Sequence, residues 1–135
     1  MRPILLDTCA AIWMVEGGLS SRAEAEVRQA REQGVEVLVS PITAWEIGLL
    51  VSRGRIALVL PPQAWFRTLL EEGVTLADMS PDILIAASQL PGPPLRDPSD
   101  RIIAATARAH NYRLMTRDRP ILDFAASGHA LAIPC

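Results

Sequence analysis

Asp7, Glu46, Asp100 and Asp118 occupy positions that a merely solvated surface would not require. Asp7 directly follows the apolar run Ile4-Leu5-Leu6, at the exit of a short strand. Glu46 lies on a helical stretch where its neighbours at three and four residues are Ile42, Thr43, Leu49 and Leu50. Apart from Thr43 these form an apolar stripe, the face that packs on a core. An ionised carboxylate is costly there unless it is paired or metal-bound. Asp100 has Ile103, Ala104 and Ala107 at helical spacing, so it faces a core or a cleft floor. Asp118 comes just past the apolar segment Arg113 to Thr116. Each acid also has a plainer reading: Asp7 as a helix N-cap, Glu46 as an edge residue reaching water or an Arg, Asp118 as a turn or cap acid before Arg119-Pro120. Asp97, ahead of Pro98, is well explained by capping. Met together at one sheet edge, the four carboxylates would repel unless cations lay between them. Oxygen-only ligands select Mg²⁺ or Mn²⁺ over zinc, and His110 and His129 offer no zinc spacing. A hard cation among carboxylates, with Arg nearby, cleaves phosphodiesters by activating water and steadying the leaving oxygen.

The elements that would bring these acids together alternate between strand and helix. Pro3 to Leu6 reads as a buried parallel strand, and Asp7-Thr8 as the start of a helix. Ser20 to Glu32 reads as an amphipathic helix, capped by Ser20 or Ser21 and ended by Gly34. Val35 to Val39 is a second strand, and Ser40-Pro41 opens a helix to about Val51. Further helices run from Pro61-Pro62 to near Gly73, from Ser80-Pro81 to about Gln89, and from Asp97-Pro98 to His110. Short strands are expected at Val74 to Leu76, Arg113 to Thr116 and Ala130 to Ile133, with Pro91 to Pro94 a loop. Such alternation predicts an α/β fold: a three-layer α/β/α sandwich around a parallel sheet of about five strands, in a single domain over residues 1–135. Ligands of such sheets bind beyond the carboxyl ends of the strands, near the switch in strand order. That rule selects strand-exit acids over helix-surface ones.

Composition sets the outer bounds. The chain has 135 residues, half of them apolar and 21% charged, which supports a real core and excludes a disordered chain. No apolar run approaches the roughly 20 residues of a membrane span, and Asp7 interrupts the N-terminal apolar stretch before it reaches export length. Cys9 and Cys135 are too few for a disulfide framework or a thiolate zinc site, so a reduced cytoplasmic setting is expected. The net charge of −2 says little. Its distribution says more: all thirteen basic residues are Arg, and Arg96 to Arg119 holds six of them against three acids. Codon usage can explain the missing Lys but not the clustering. Arg grips phosphate bidentately, so such a cluster beside particular acids suits nucleic acid.

Four segments carry a resemblance. Leu5-Leu6-Asp7-Thr8, Ser40 through Ile47, Arg96 through Ala105 and Met115-Thr116-Arg117-Asp118 resemble, in order and interval, the signature blocks of PIN-domain ribonucleases. More narrowly, they are similar to the VapC-type toxins of type II toxin–antitoxin systems. The resemblance runs from about Ile4 to the C-terminus. It implies a PIN-like fold and a Mg²⁺- or Mn²⁺-dependent endoribonuclease acting on RNA. It also implies a cognate antitoxin protein as partner, and a homodimer. By position, Asp7, Glu46, Asp100 and Asp118 match the acidic, metal-holding set, and Thr8 and Thr116 match hydroxyl positions that orient those acids or the metal's waters, with Asp97 beside them. Cys9 stands where a polar residue such as His or Asn is common, and Ser99 where an aromatic is frequent.

The remaining candidates stay open in sequence. Arg101, Arg117 and Arg119 flank the acids and either contact the RNA backbone or form ordinary ion pairs. Trp13, Trp45 and Trp65 read as packing residues, with one or two able to border a groove for a partner helix. Cys9 reads as a small filler at a helix start rather than a nucleophile, since no His stands in a matching motif. Gly17-Gly18 lacks the spacing and Lys of a phosphate loop. Two rival functions are a non-catalytic α/β protein-binding module whose acids only cap helices, and a phosphatase built on a strand-end Asp. The second lacks the acid usually found two residues on, where Cys9 stands.

Overall fold

The computed structural model describes residues 1–135. Five strands form one parallel sheet: β1 (Ile4–Leu6), β2 (Val37–Val39), β3 (Thr75–Leu76), β4 (Arg113–Thr116) and β5 (Leu131–Pro134). Seven helices connect them: α1 (Thr8–Glu16), α2 (Ser21–Glu32), α3 (Pro41–Ser52), α4 (Pro62–Glu71), α5 (Pro81–Ser88), α6 (Pro98–His110) and α7 (Arg119–Phe124). The order across the sheet is β3-β2-β1-β4-β5. From β1 the chain steps outward through β2 to β3, then crosses to the other side of β1 for β4 and β5. The order therefore reverses between β1 and β4, where Leu6 registers with Met115.

Alternation along three-residue strands divides the core into two layers. Ile4, Leu6, Val37, Val39 and Met115 pack with α1, α2 and α4, whose largest contributions are the fully buried Trp65 and Leu69. Leu5, Leu38 and Leu114 turn to the opposite face and meet Ile103, Ala104 and Ala107 of α6, with Ile121 and Phe124 of α7. Burial of each such large aliphatic side chain contributes roughly 1.5–3 kcal/mol before entropy is counted. Helix α5 lies outside α6, with Ile83 and Ala87 against Ala105. The expected three-layer sandwich is the observed one. No helix is long and apolar enough to cross a membrane.

Two differences from expectation have local causes. β2 begins at Val37 rather than Val35, because Val35 donates its amide to Ala30 at the end of α2. Gly34, at φ +69°, makes that reversal possible. Of the turn and cap readings open for Asp118 before Arg119-Pro120, the cap is the observed one, and the chain forms helix α7. Asp118 caps it and Pro120 sits in its first turn, the same device that starts α6 at Asp97-Pro98. A π-type turn at Ala125–His129 then leads into β5.

Candidate active site

Asp7 leaves β1 in extended conformation and is 5% exposed. Its Oδ1 accepts from the amide of Ala10 at 2.7 Å, which caps α1. Its Oδ2 accepts from the Thr116 hydroxyl at 2.6 Å. That hydroxyl, wholly buried at the end of β4, also accepts the amide of Asp118 at 3.0 Å. One threonine thus couples the exits of the two strands that flank the switch point. Burial raises the Asp7 carboxyl from the ordinary 3.8 to about 6, and the nearby Asp118 charge adds to the rise; the bonds from Thr116 and Ala10 and the Arg117 charge oppose it.

Glu46, half-buried on α3, accepts a very short hydrogen bond from the Thr8 hydroxyl. The Thr8 and Thr43 hydroxyls are 3.0 Å apart; with the Thr8 proton directed at Glu46, Thr43 donates to Thr8. Desolvation raises the Glu46 pKa, and the charges of Asp97 and Asp7 raise it further against the Thr8 bond. Asp100, in the first turn of α6, has no hydrogen-bond donor on its carboxylate. Desolvation first, then the charges of Asp97, Asp118, Glu46 and Asp7, push it up to about 8. Asp118 caps α7 by accepting from Ile121 at 3.2 Å, and Asp97 caps α6 by accepting from Ser99 at 2.8 Å and Asp100 at 3.2 Å.

The structure therefore brings the expected acids into one electrostatic neighbourhood, in which Asp7, Glu46 and Asp118 all raise the Asp100 pKa and Asp7 and Asp118 raise others as well. None of them is in an ion pair: the salt bridges lie elsewhere, Arg113 with Glu26, Arg119 with Asp123 and His110 with Asp78. No three acidic, His or Cys side chains stand close enough to hold one ion together, so a cage of four direct ligands is not formed. The donor set is oxygen, partly desolvated and outside any ion pair. That suits a hard cation such as Mg²⁺, which keeps several waters and takes one or two carboxylates directly.

The arginines are used differently from expectation. Arg101 donates Nε to the carbonyl of Ala87 and Nη1 to that of Leu95, both at 2.9 Å, tying the loop before α6 to α5. Arg117 donates to the carbonyls of Cys135 and Gly18 and lies 3.9 Å from the centre of the Trp13 ring. Each guanidinium is thus anchored by part of its five N–H donors, while Nη2 of Arg101 and Nη1 of Arg117 make no hydrogen bond within the protein. Arg119 is exposed, with only Asp123 at 3.9 Å. Cys9 is exposed rather than a filler. Its thiol is pushed up to about 11 by desolvation and by Asp7, Glu46 and Asp100, so the nucleophilic thiolate is disfavoured. Sequence reasoning missed Thr43, which appeared only as the exception in an apolar stripe; its place three residues before Glu46 was the available signal.

Comparison with known proteins adds a family to this geometry. Residues 4–126 match the PIN domain. Ribonuclease VapC22 of Mycobacterium tuberculosis is 34% identical over 119 residues, covering 88% of this chain and 89% of that protein. The crystal structure of VapBC2 from Rickettsia felis, bound to a DNA fragment from its promoter, superimposes with a TM-score of 0.72 at 16% identity, covering 98% of each chain. A toxin–antitoxin complex from Klebsiella pneumoniae gives a TM-score of 0.61 at 25% identity over 95% of each chain. Identity and fold agree over nearly the whole length, including every element that carries an acid: the chain belongs to the PIN-domain family and, within it, to the VapC proteins.

Proposed function

We propose that this chain is a Mg²⁺- or Mn²⁺-dependent endoribonuclease, the toxin of a toxin–antitoxin pair, with residues 1–135 working as one domain. Asp7 and Asp100 are the principal ligands, and Glu46 and Asp118 act on the same ion through water. One observation carries the reading: Asp100 is half-buried among four other acids, with neither a hydrogen-bond donor nor an Arg on its carboxylate. A folded module with no ligand to bind has no reason to keep that group. The bound cation would activate a water for attack on phosphorus and steady the departing oxygen.

The chain's own residues supply position. Thr116 fixes Asp7 and, through the Asp118 amide, the start of α7. The Thr43–Thr8–Glu46 chain fixes Glu46 across the gap between α3 and α1. RNA is the proposed substrate on the strength of the VapC22 relative, a ribonuclease by name. A small antitoxin is the proposed partner, because solved neighbours are toxin–antitoxin complexes, and the active form is a homodimer.

Purified protein should cut loop-containing RNA with Mg²⁺ and stop when EDTA is added or Asp7 becomes Asn. Activity that survives both changes refutes the metal mechanism. The rival binding-module reading has one point in its favour: Asp7, Asp97 and Asp118 do cap helices. It leaves Glu46 and Asp100 unexplained, since neither accepts a capping bond. Under that rival, Asp100→Asn and Glu46→Gln change stability alone; under the nuclease reading both abolish cleavage. Expression of the protein alone should arrest growth, and co-expression of its antitoxin should relieve the arrest.

A further inference from the structure

An acidic cleft repels the phosphates it is proposed to cut, so some cationic wall must bring RNA to it. Arg101 and Arg117 spend part of their donors on main-chain carbonyls, whereas two arginines at the end of α3 spend none. A cleft of about 350 Å³ opens beside Glu46 and Asp97, lined also by Trp45, Arg53 and Arg55. Its size falls among small-ligand pockets, roughly 300–1,000 Å³. We infer that this cleft is the subsite for an unstacked base of single-stranded RNA and its adjoining phosphate, Trp45 being the stacking platform and Arg53 and Arg55 the phosphate donors. The inference rests on the nuclease reading above and names how that site receives its substrate.

Three observations support it. Trp45 is 57% exposed and stacks on no other ring, whereas Trp65 is buried and Trp13 lies against Arg117. Arg53 and Arg55 are exposed, and neither guanidinium has an ion pair or a hydrogen bond within the protein. Their placement is nevertheless fixed. The amide of Gly54 bonds Val51 and that of Arg55 bonds Leu50 at 2.9 Å, a Schellman turn closing α3, and Gly54 at φ +68° is the residue that permits it. Trp45, Leu49 and Arg53 recur at four-residue spacing along α3, so indole and guanidinium share one side of the helix. Indole beside guanidinium is the pairing that holds single strands: bases stack on the ring and the cation takes the phosphate, without base-specific readout. Two guanidinium groups outside any ion pair, at the far end of a cleft whose Glu46 and Asp97 carboxylates lie toward the acidic site, fit a phosphate-bearing strand running into that site rather than an apolar helix.

The test measures binding of a hairpin with a single-stranded loop, and of a blunt duplex, to the Asp7→Asn protein so that no RNA is consumed. Trp45→Ala should weaken loop binding by between about fivefold and about a hundredfold, Trp45→Phe should restore most of it, and duplex binding should barely move. Arg53→Ala with Arg55→Ala should lower the slope of log affinity against log salt by about 0.7 for each phosphate that the two guanidinium groups neutralise. Melting temperatures of these variants should stay near the parent's. If the wild-type protein cleaves RNA while all three variants bind with unchanged affinity and slope, the subsite is overturned and the nuclease reading stands. Trp45-dependent loop binding without any Mg²⁺-dependent cleavage would keep the subsite and sink the nuclease. A Trp45→Ala protein that turns from dimer to monomer with unaltered RNA affinity makes Trp45 a contact between copies, and also overturns the subsite. So does a wild-type protein that binds no RNA.

Discussion

Raising the pH in the presence of a chelator should destabilise this protein, and a divalent cation should restore part of the loss. The folded state holds protons on Asp7 and Asp100 more tightly than the unfolded chain does, since burial and mutual repulsion raise the first from 3.8 to about 6 and the second to about 8. A raised carboxyl contributes stability that is fully present below its unfolded pKa. That contribution is lost as pH climbs through the folded value. For Asp7 the interval corresponds to roughly 3 kcal/mol, lost between about pH 4 and pH 6. Asp100 is partly open to solvent, so its larger displacement is counted at no more than the same amount, spread up to about pH 8. A loss of about 3 kcal/mol lowers the Tm of a domain this size by on the order of 10 °C. Scanning calorimetry at pH 5, 6.5 and 8 in EDTA reads the slope directly. Free Mg²⁺ at ten times its Kd should return about 1.4 kcal/mol at pH 8, and much less at pH 5, where protons already occupy the site. Asp100→Asn, which cannot ionise, should melt above wild type at pH 8 in EDTA and ignore Mg²⁺. A wild-type Tm that is flat or rising from pH 5 to 8 in EDTA would refute the reasoning. An Asp100→Asn protein that melts below wild type at pH 8 would do the same.

Other perturbations follow from single contacts. Thr116→Val removes the 2.6 Å bond to Asp7 and the acceptor for Asp118, so it should cost about 1–3 kcal/mol in denaturant melts and abolish most cleavage, while Thr116→Ser keeps both. Arg101→Ala should destabilise by roughly 1.5–3 kcal/mol, read in denaturant melts, because it removes two charged hydrogen bonds. Trp65 is 1% exposed with its indole N–H unpartnered, so Trp65→Ala should cost about 3–5 kcal/mol, and Trp65→Phe far less because it also removes the orphaned donor.

Local chemistry makes most elements readable. A Ser or Asp followed by Pro marks the starts of α3, α5 and α6, and three-residue apolar runs mark β1 and β2. Helix α7 carries the same Asp-to-Pro signal with one residue inserted, Arg119, and that insertion leaves turn and cap equally readable. Asp100 and Glu46 are legible because a carboxylate on an apolar helix face conflicts with its surroundings. Their meeting with Asp7 and Asp118 is legible only through the rule for parallel sheets. The bond that joins strands β1 and β4 at the site spans 109 positions, and strand order has no local code. The fate of the arginines is not legible at all. Arg101 and Arg117 bind main-chain carbonyls, which every residue possesses, so nothing in the side-chain pattern marks their partners.

The choice of hydroxyls to hold the acids has an electrostatic reason. An Arg beside Asp7 or Glu46 would orient the carboxylate equally well, but it would also neutralise the charge and lower the pKa, leaving a satisfied ion pair that a divalent cation must break. Thr116 on Asp7 and Thr8 on Glu46 donate a single neutral proton each. They fix geometry without adding a positive charge, so burial first and the neighbouring carboxylates second still raise Asp7, Glu46 and Asp100. The cost falls on the metal-free protein, which carries repelling carboxylates at neutral pH. Placing an Arg within reach of Asp100 should therefore stabilise the chelated protein and weaken Mg²⁺ binding in the same variant. Calorimetry and metal titration on that variant separate this account from one in which the acids serve folding alone, where stability would rise and the affinity for Mg²⁺ would not change.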